Sequence, residues 1–203
     1  YAAMHDVALA EAGNDVLLGG AGTDMLYGGA GDDVLDGGSE RDVIQGEGGA
    51  DTLFGGAGDD DLWGGSDPLT ITEDGQQVPG DYGPYTSTRR HSDVRTDGDD
   101  RLAGGTGTDR LYGGLGNDTY LFNRGDGQDT VTEEEGIDTL TLGRGILPAD
   151  VTLSFSGANL IVNPGASDSI TLTAWKSRAN RVEYLQVAEG ATWNLKEKLK
   201  SQG

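Results

Sequence analysis

Cysteine is absent from this 203-residue chain, so neither disulfides nor thiolate metal sites can support its fold. Basic residues are scarce, 14 against 35 acidic ones, which leaves a formal net charge of -21. Nucleic acid is excluded as a partner for such a surface, because its phosphates would be repelled. Large apolar residues are scarce as well. Hydrophobic types make up 34% of the chain and aromatics 6%, and no apolar run approaches the ~18 residues a membrane helix needs. The two histidines, His5 and His91, stand alone. Neither H-E-x-x-H, G-x-S-x-G nor a P-loop occurs, and nothing matches the ligand spacing of an EF-hand loop. No enzyme is expected in this stretch. No signal peptide is visible at the N-terminus, and the chain opens within a repeat pattern, so it is expected to be a fragment of something larger.

What is abundant is glycine, 36 residues of it, together with acid. Low hydrophobicity with high net charge usually signals disorder, and each glycine loses roughly 0.5–1 kcal/mol more on folding than alanine does. If the chain folds, something besides an apolar core must supply free energy, and the acidity points to cations. The charge is unevenly spread. Residues 145–203 hold 5 acidic and 6 basic residues, which leaves 30 and 8 for residues 1–144. The acid belongs to one region and the tail is a different kind of object.

The acidic region repeats. Gly19 to Tyr27 reads GGAGTDMLY and Gly28 to Asp36 reads GGAGDDVLD, a nine-residue cycle of the form G-G-x-G-x-D-x-L-x. Position six is Asp15, Asp24, Asp33, Asp42, Asp51 and Asp60, and position eight is Leu17, Leu26, Leu35, Ile44, Leu53 and Leu62. A seventh repeat starts at Gly64-Gly65-Ser66 and breaks off. Gly98 to Ala103 supplies its positions four to nine, with Asp100 at position six, so residues 67–97 read as an insertion into one repeat. The register continues through Asp109 and Asp118 and, after two extra residues, through Asp129 and Asp138. Eleven aspartates thus share one position in the cycle.

Positions one to six are polar and glycine-rich, so they turn. Positions seven to nine should form a short strand whose middle residue points inward, since strand side chains alternate faces. Two repeats make one coil, and stacked coils make two parallel sheets with turns along both edges. Asp15, Asp33, Asp51, Asp100, Asp118 and Asp138 would line one edge, and Asp24, Asp42, Asp60, Asp109 and Asp129 the other. Neighbouring carboxylates on an edge would face each other across roughly 4.8 Å. Two bare carboxylates at ~4 Å repel by roughly 4 kcal/mol at an effective dielectric near 20, so a cation is needed between them. Only oxygens are offered. Calcium takes six to eight of them in irregular geometry, whereas magnesium wants a tight octahedron and zinc wants His or Cys.

The pattern resembles the RTX (repeats-in-toxin) nonapeptide. The resemblance implies an all-β, right-handed parallel β-roll, a β-solenoid, with calcium between turns on the same edge. It further implies that position-six carboxylates bridge neighbouring ions and that carbonyls of positions one to four complete the shell. Those carbonyls come from Gly19, Gly28, Gly37, Gly46, Gly55, Gly64, Gly104 and Gly113 at position one. At position two they come from Gly20, Gly29, Gly38, Gly56, Gly65, Gly105 and Gly114, and at position four from Gly22, Gly31, Gly49, Gly58, Gly98, Gly107 and Gly116. The ligand pairs would be Asp15/Asp33, Asp24/Asp42, Asp33/Asp51, Asp42/Asp60, Asp51/Asp100, Asp60/Asp109, Asp100/Asp118, Asp109/Asp129 and Asp118/Asp138, which sets an expectation of about six to nine ions. Glu40, Glu47, Arg124 and Glu133-Glu134 depart from the glycine pattern. The family resemblance also implies a secreted, extracellular protein of a Gram-negative bacterium, exported unfolded by a type I machinery and folding in external calcium.

Four segments are expected: a first β-roll block at 10–66, the insertion at 67–97, a second block at 98–144 continuing the same stack, and a capping region at 145–203. Residues 119–142 and the segments NLIV (159–162), DSITLTAWKS (168–177) and VEYLQVAEGATWNL (182–195) resemble the haemolysin-type calcium-binding related region that often follows such repeats. They read as strands Val151–Phe155, Asn159–Val162, Ser169–Thr173 and Val182–Val187, with a short basic helix over Leu195–Lys200. A solenoid needs an atypical end to cover its last coil, and Trp175 and Trp193 bring bulk that the repeats lack; the other reading of this tail is a secretion signal. The insertion opens on Asp67-Pro68 and carries Tyr82, Tyr85, Arg89, Arg90, His91 and Arg95. It reads as a tolerated surface loop, with a host-cell, protein or glycan binding loop, or an autoprocessing site at Asp67-Pro68, as alternatives. Three functions follow: a calcium-driven folding and secretion module, an adhesive module acting through the insertion, or the non-catalytic tail of a secreted hydrolase or toxin.

Overall fold

The computed structural model describes residues 6–65, 98–165, 167–176, 181–187 and 190–201. The insertion, with its Asp67-Pro68 step and its basic-aromatic cluster, lies outside the described residues, as does His5. Each nonapeptide yields one strand, because the alternation of an apolar residue between two polar ones suits a half-buried strand. In chain order these are β1 (Val7–Leu9), β2 (Val16–Ala21), β3 (Met25–Ala30), β4 (Val34–Ser39), β5 (Val43–Gly48), β6 (Thr52–Ala57), β7 (Asp61–Trp63), β8 (Arg101–Thr106), β9 (Arg110–Tyr112), β10 (Thr119–Phe122), β11 (Gln128–Thr132) and β12 (Asp138–Leu142). Odd strands stack in one parallel sheet and even strands in the other, so two consecutive repeats form one coil. The stack runs across the insertion without a slip: β6 pairs with β8 with Thr52 beside Arg101, and β7 pairs with β9 with Leu62 beside Leu111.

The repeat strands are longer than the three residues the alternation predicts. β2 to β6 and β8 each span six, because positions two and three go on pairing with the next coil, as in Gly20 beside Gly38 and Ala21 beside Ser39. The ladder steps over position one, so the backbone bends there while both flanks stay hydrogen-bonded. An extra strand, β1, stands before the first full repeat and pairs with β3.

The core is narrow. Leu26, Leu35, Ile44, Leu53, Leu62 and Leu102, all at position eight, are fully buried. At the C-terminal end the layers thicken. β13 (Thr152–Ser156), β14 (Asn159–Asn163) and β15 (Ser169–Leu172) form an antiparallel meander whose last strand lies parallel on β11. β16 (Val182–Val187) lies parallel on β12 and turns back through β17 (Ala191–Asn194). The strand β17 is additional to those read from the sequence. Trp175 is buried over this end, and its indole N–H donates to the Val182 carbonyl at 2.8 Å. Helix α1 (Leu195–Lys200) is capped by the Asn194 side chain, which accepts from the Glu197 amide. Leu195, Trp175, Val182 and the position-eight residues belong to one continuous apolar cluster. No described helix is long and apolar enough to cross a membrane.

Candidate metal centre

The aspartates of position six immediately precede their strands from Asp15 to Asp118, while Asp129 and Asp138 lie within β11 and β12. From Asp24 to Asp138, ten of the eleven are between 0% and 3% exposed, while Asp15, the first of the series, is half-buried. Each of these ten uses one oxygen in the same way. Oδ1 accepts the backbone N–H of the aspartate one coil earlier: Asp15 donates to Asp33 at 2.8 Å, Asp24 to Asp42 at 2.8 Å, Asp33 to Asp51 at 2.8 Å and Asp42 to Asp60 at 2.8 Å. Across the insertion Asp51 donates to Asp100 and Asp60 to Asp109, both at 2.7 Å. Asp100 to Asp118, Asp109 to Asp129 and Asp118 to Asp138 complete the two ladders at 2.9, 3.2 and 2.9 Å. The structure thus brings all eleven together as two edge rows, with one coil between consecutive members.

The other oxygen is the informative one. Oδ2 of Asp24, Asp33, Asp42, Asp60 and Asp109 is buried and meets no hydrogen-bond donor among the described residues. Buried carboxylate oxygen without a partner is costly. Each of these atoms faces a position-one glycine five residues earlier. A Cβ on Gly28 would overlap Asp33 Oδ2 and stand 2.7 Å from the Gly46 carbonyl oxygen of the next coil. Gly19, with Asp24 Oδ2 and the Gly37 carbonyl, and Gly55, with Asp60 Oδ2 and the Gly104 carbonyl, are built alike. Position one therefore leaves a small cradle in which a carboxylate oxygen and a carbonyl oxygen from successive coils converge. The glycines of positions two and four meet a need of backbone shape, and most meet one of room as well: a Cβ on Gly29, Gly31 or Gly38 would come within 2.0–2.3 Å of a carbonyl oxygen of the coil before. Gly20, Gly29, Gly31 and Gly38 sit at φ between 99° and 132°, in the left-handed region. Glu40 and Glu47 hold the same conformation at φ 73° and 76°. The Glu40 carboxylate accepts the Gly22 amide at 2.7 Å, so this departure adds a contact between coils.

Burial governs the electrostatics. It pushes the carboxyls of Asp42 and Asp109 up to about 6, Asp60 to about 7, Asp129 to about 8 and Asp138 to about 6. In each, the amide donated by the coil before pulls the other way, and neighbouring acids add to the rise. Sites that hold on to protons this tightly are short of positive charge.

Several acidic residues join the rows without belonging to the repeat as read from the sequence. The Asp6 amide donates to Asp24 Oδ1 at 2.7 Å, so Asp6 stands one coil before Asp24; its 18-residue offset from Asp24 was the available signal. Glu183 continues the first edge beyond Asp138, whose amide donates to Glu183 Oε2 at 3.0 Å, from a bulge in the pairing of β12 with β16. Asp126 and Asp168 are buried at the end of the second edge; Asp168 accepts the Gly125 amide at 2.8 Å and Asp126 the Asn123 amide at 2.6 Å. Glu133 is buried beside Asp118 and Asp138, and oxygens of these three lie within 4.8 Å of one another.

The donor set is all oxygen, carboxylate and carbonyl, with open cradles and partnerless buried atoms at a regular interval. That chemistry fits calcium. In comparison with known proteins, residues 3–35, 36–67 and 95–131 match the family described as RTX calcium-binding nonapeptide repeat (4 copies). No curated protein matches the chain.

Proposed function

The chain belongs to the RTX calcium-binding nonapeptide repeat family, whose β-roll is a non-catalytic calcium-binding module of secreted proteins, and from that premise we propose that this chain folds by taking up calcium along both edges. The ions would sit between consecutive position-six aspartates, in the nine pairs from Asp15/Asp33 to Asp118/Asp138, with carbonyls of the turn glycines completing each shell. The observation that carries this reading is the run of buried Oδ2 atoms without donors, each opposite a glycine cradle. Calcium supplies the positive charge that makes those oxygens favourable to bury. The chain's own residues do the rest: Oδ1 fixes each carboxylate on the preceding coil's amide, the absent Cβ keeps the cradle open, and position eight excludes water from beneath.

The fold is then a switch on external calcium. The chain leaves the cell unfolded through a type I channel, where free calcium is low, and orders outside, where extracellular modules commonly bind at ~0.1–1 mM. Its role is to drive and lock the folding of a larger secreted protein. The test is a far-UV circular dichroism titration of chelator-treated chain with calcium, with magnesium in parallel. Coil in chelator, and a steep β signal near millimolar calcium that magnesium does not reproduce, is the expected result. A chain fully folded in chelator at neutral pH refutes the reading.

A further inference from the structure

The cradle at Gly113 differs from five others along the rows. At Gly19, Gly28, Gly46, Gly55 and Gly64 the next coil presents a backbone carbonyl: that of Gly37, Gly46, Gly64, Gly104 and Gly113 respectively. Opposite Gly113 the equivalent residue is Glu133, and what faces the missing Cβ is its side-chain Oε1, together with Asp118 Oδ2 and the Tyr120 hydroxyl. Glu133 therefore sends a carboxylate into space where those five coils offer main chain. Its side chain is 2% exposed, and Asp118 and Asp138, on either side, carry the same sign of charge. Tyr120 occupies the inward position eight that leucine holds in most repeats, and it is fully buried. Its hydroxyl donates to Glu133 Oε1. The tyrosine reaches from the apolar column to the edge and holds the glutamate in the cradle.

We propose that Glu133 is a calcium ligand, and that Asp118, Glu133 and Asp138 form a three-carboxylate site with a higher affinity than the sites built on two position-six aspartates alone. The inference rests on calcium occupancy of the rows. Calcium affinity follows the charge count and rigidity of the ligand set, and this site has one more carboxylate and a buried hydroxyl that fixes it. Tyr120 is a positioning residue, acting through Glu133.

The experiment is a calorimetric titration of calcium chloride into the full chain, wild type against Glu133→Gln, with a parallel titration of terbium chloride read as emission sensitised by tyrosine, wild type against Tyr120→Phe. Glu133→Gln keeps the side-chain volume and an oxygen for Tyr120 while removing the charge. It is expected to weaken the tightest binding step roughly tenfold and leave the weaker steps in place. Tyr120→Phe is expected to strip most emission from the first terbium equivalent, because that phenol borders the site. A Glu133→Gln isotherm that overlays the wild type, or first-equivalent emission that survives Tyr120→Phe, overturns the proposal. Should Glu133→Gln not fold, the terbium arm alone decides. Absence of calcium binding by the wild-type chain would overturn the reading of the rows as a whole, an outcome distinct from a loss confined to one step.

Discussion

A glycine can be required for the shape of its backbone, for the room it leaves, or for both, and Gly20 and Gly28 isolate the first two cases. Gly20 stands at φ 99° with open space where a Cβ would go, whereas Gly28 has no left-handed φ and is hemmed in by Asp33 Oδ2 and the Gly46 carbonyl. Alanine should separate them. Gly20→Ala is expected to cost about 1–2 kcal/mol of backbone strain and keep every ion. Gly28→Ala is expected to fill a cradle and remove one bound calcium, and calorimetric stoichiometry on the two variants checks it. At this scale the sequence is readable as far as it is periodic. Asp15 to Asp138 and the apolar column declare themselves because one nine-residue clock sets both. Asp126, Asp168 and Glu183 keep no such time; they reach the rows through a two-residue loop extension, a meander and a bulge, which only the folded chain brings together. Glu133 is in register, but at a position where glycine is expected, so it reads as a defect and not as a donor.

At the scale of the strand, turns limit pairing less than their glycine content suggests. Position one bends, and positions two and three pair again, which is why six-residue strands stand where three were expected. The insertion falls within one of these turns. Its flanks are held on both sides: the Gly64 amide donates to the Tyr112 carbonyl at 2.8 Å, and the Asp51 amide donates to the Asp100 side-chain Oδ1 at 2.7 Å. Asp61 on β7 adds a side-chain clamp, pairing with Arg41 at 2.5 Å and with Arg110 on β9 at 3.2 Å. Removing residues 67–97 would join Gly64-Gly65-Ser66 to Gly98-Asp99-Asp100-Arg101-Leu102-Ala103, an unbroken nonapeptide. The shortened chain is expected to fold with the same calcium dependence and the same number of ions, measured by circular dichroism and calorimetry. Loss of the calcium response would mean that the second block does not continue the first.

For the molecule as a whole, acid and calcium should act as rivals. In the metal-free fold Asp42, Asp60, Asp109, Asp129 and Asp138 titrate high, from about 6 for Asp42 to about 8 for Asp129, against ~3.9 in an unfolded chain. The folded state therefore binds more protons, so the metal-free fold is best supported below about pH 4 and loses that support as pH rises from about 4 to about 8. In chelator, β signal is expected to fade across that window. With calcium present the slope reverses, because protons compete for the same oxygens, and the calcium midpoint should rise on acidification below about pH 7. Circular dichroism in matched chelator and calcium series tests both signs. This dependence follows from a core only one side chain deep, which makes charge neutralisation, by proton or by metal, a condition of folding.

The carboxylate ladder has a direction. Every rung runs from the amide of one coil to the carboxylate of the coil after it, and the last amide, that of Asp138, is met by Glu183 from the terminal strands. A coil is thus finished by its successor and makes no such demand on its predecessor. Lengthening the roll is consequently an asymmetric event in evolution. A duplicated coil inserted upstream finds its acceptor already waiting, whereas one added downstream must displace Glu183 and rebuild the meander that closes the stack. Lineages built on this plan should vary in repeat number at the front and conserve their architecture at the back.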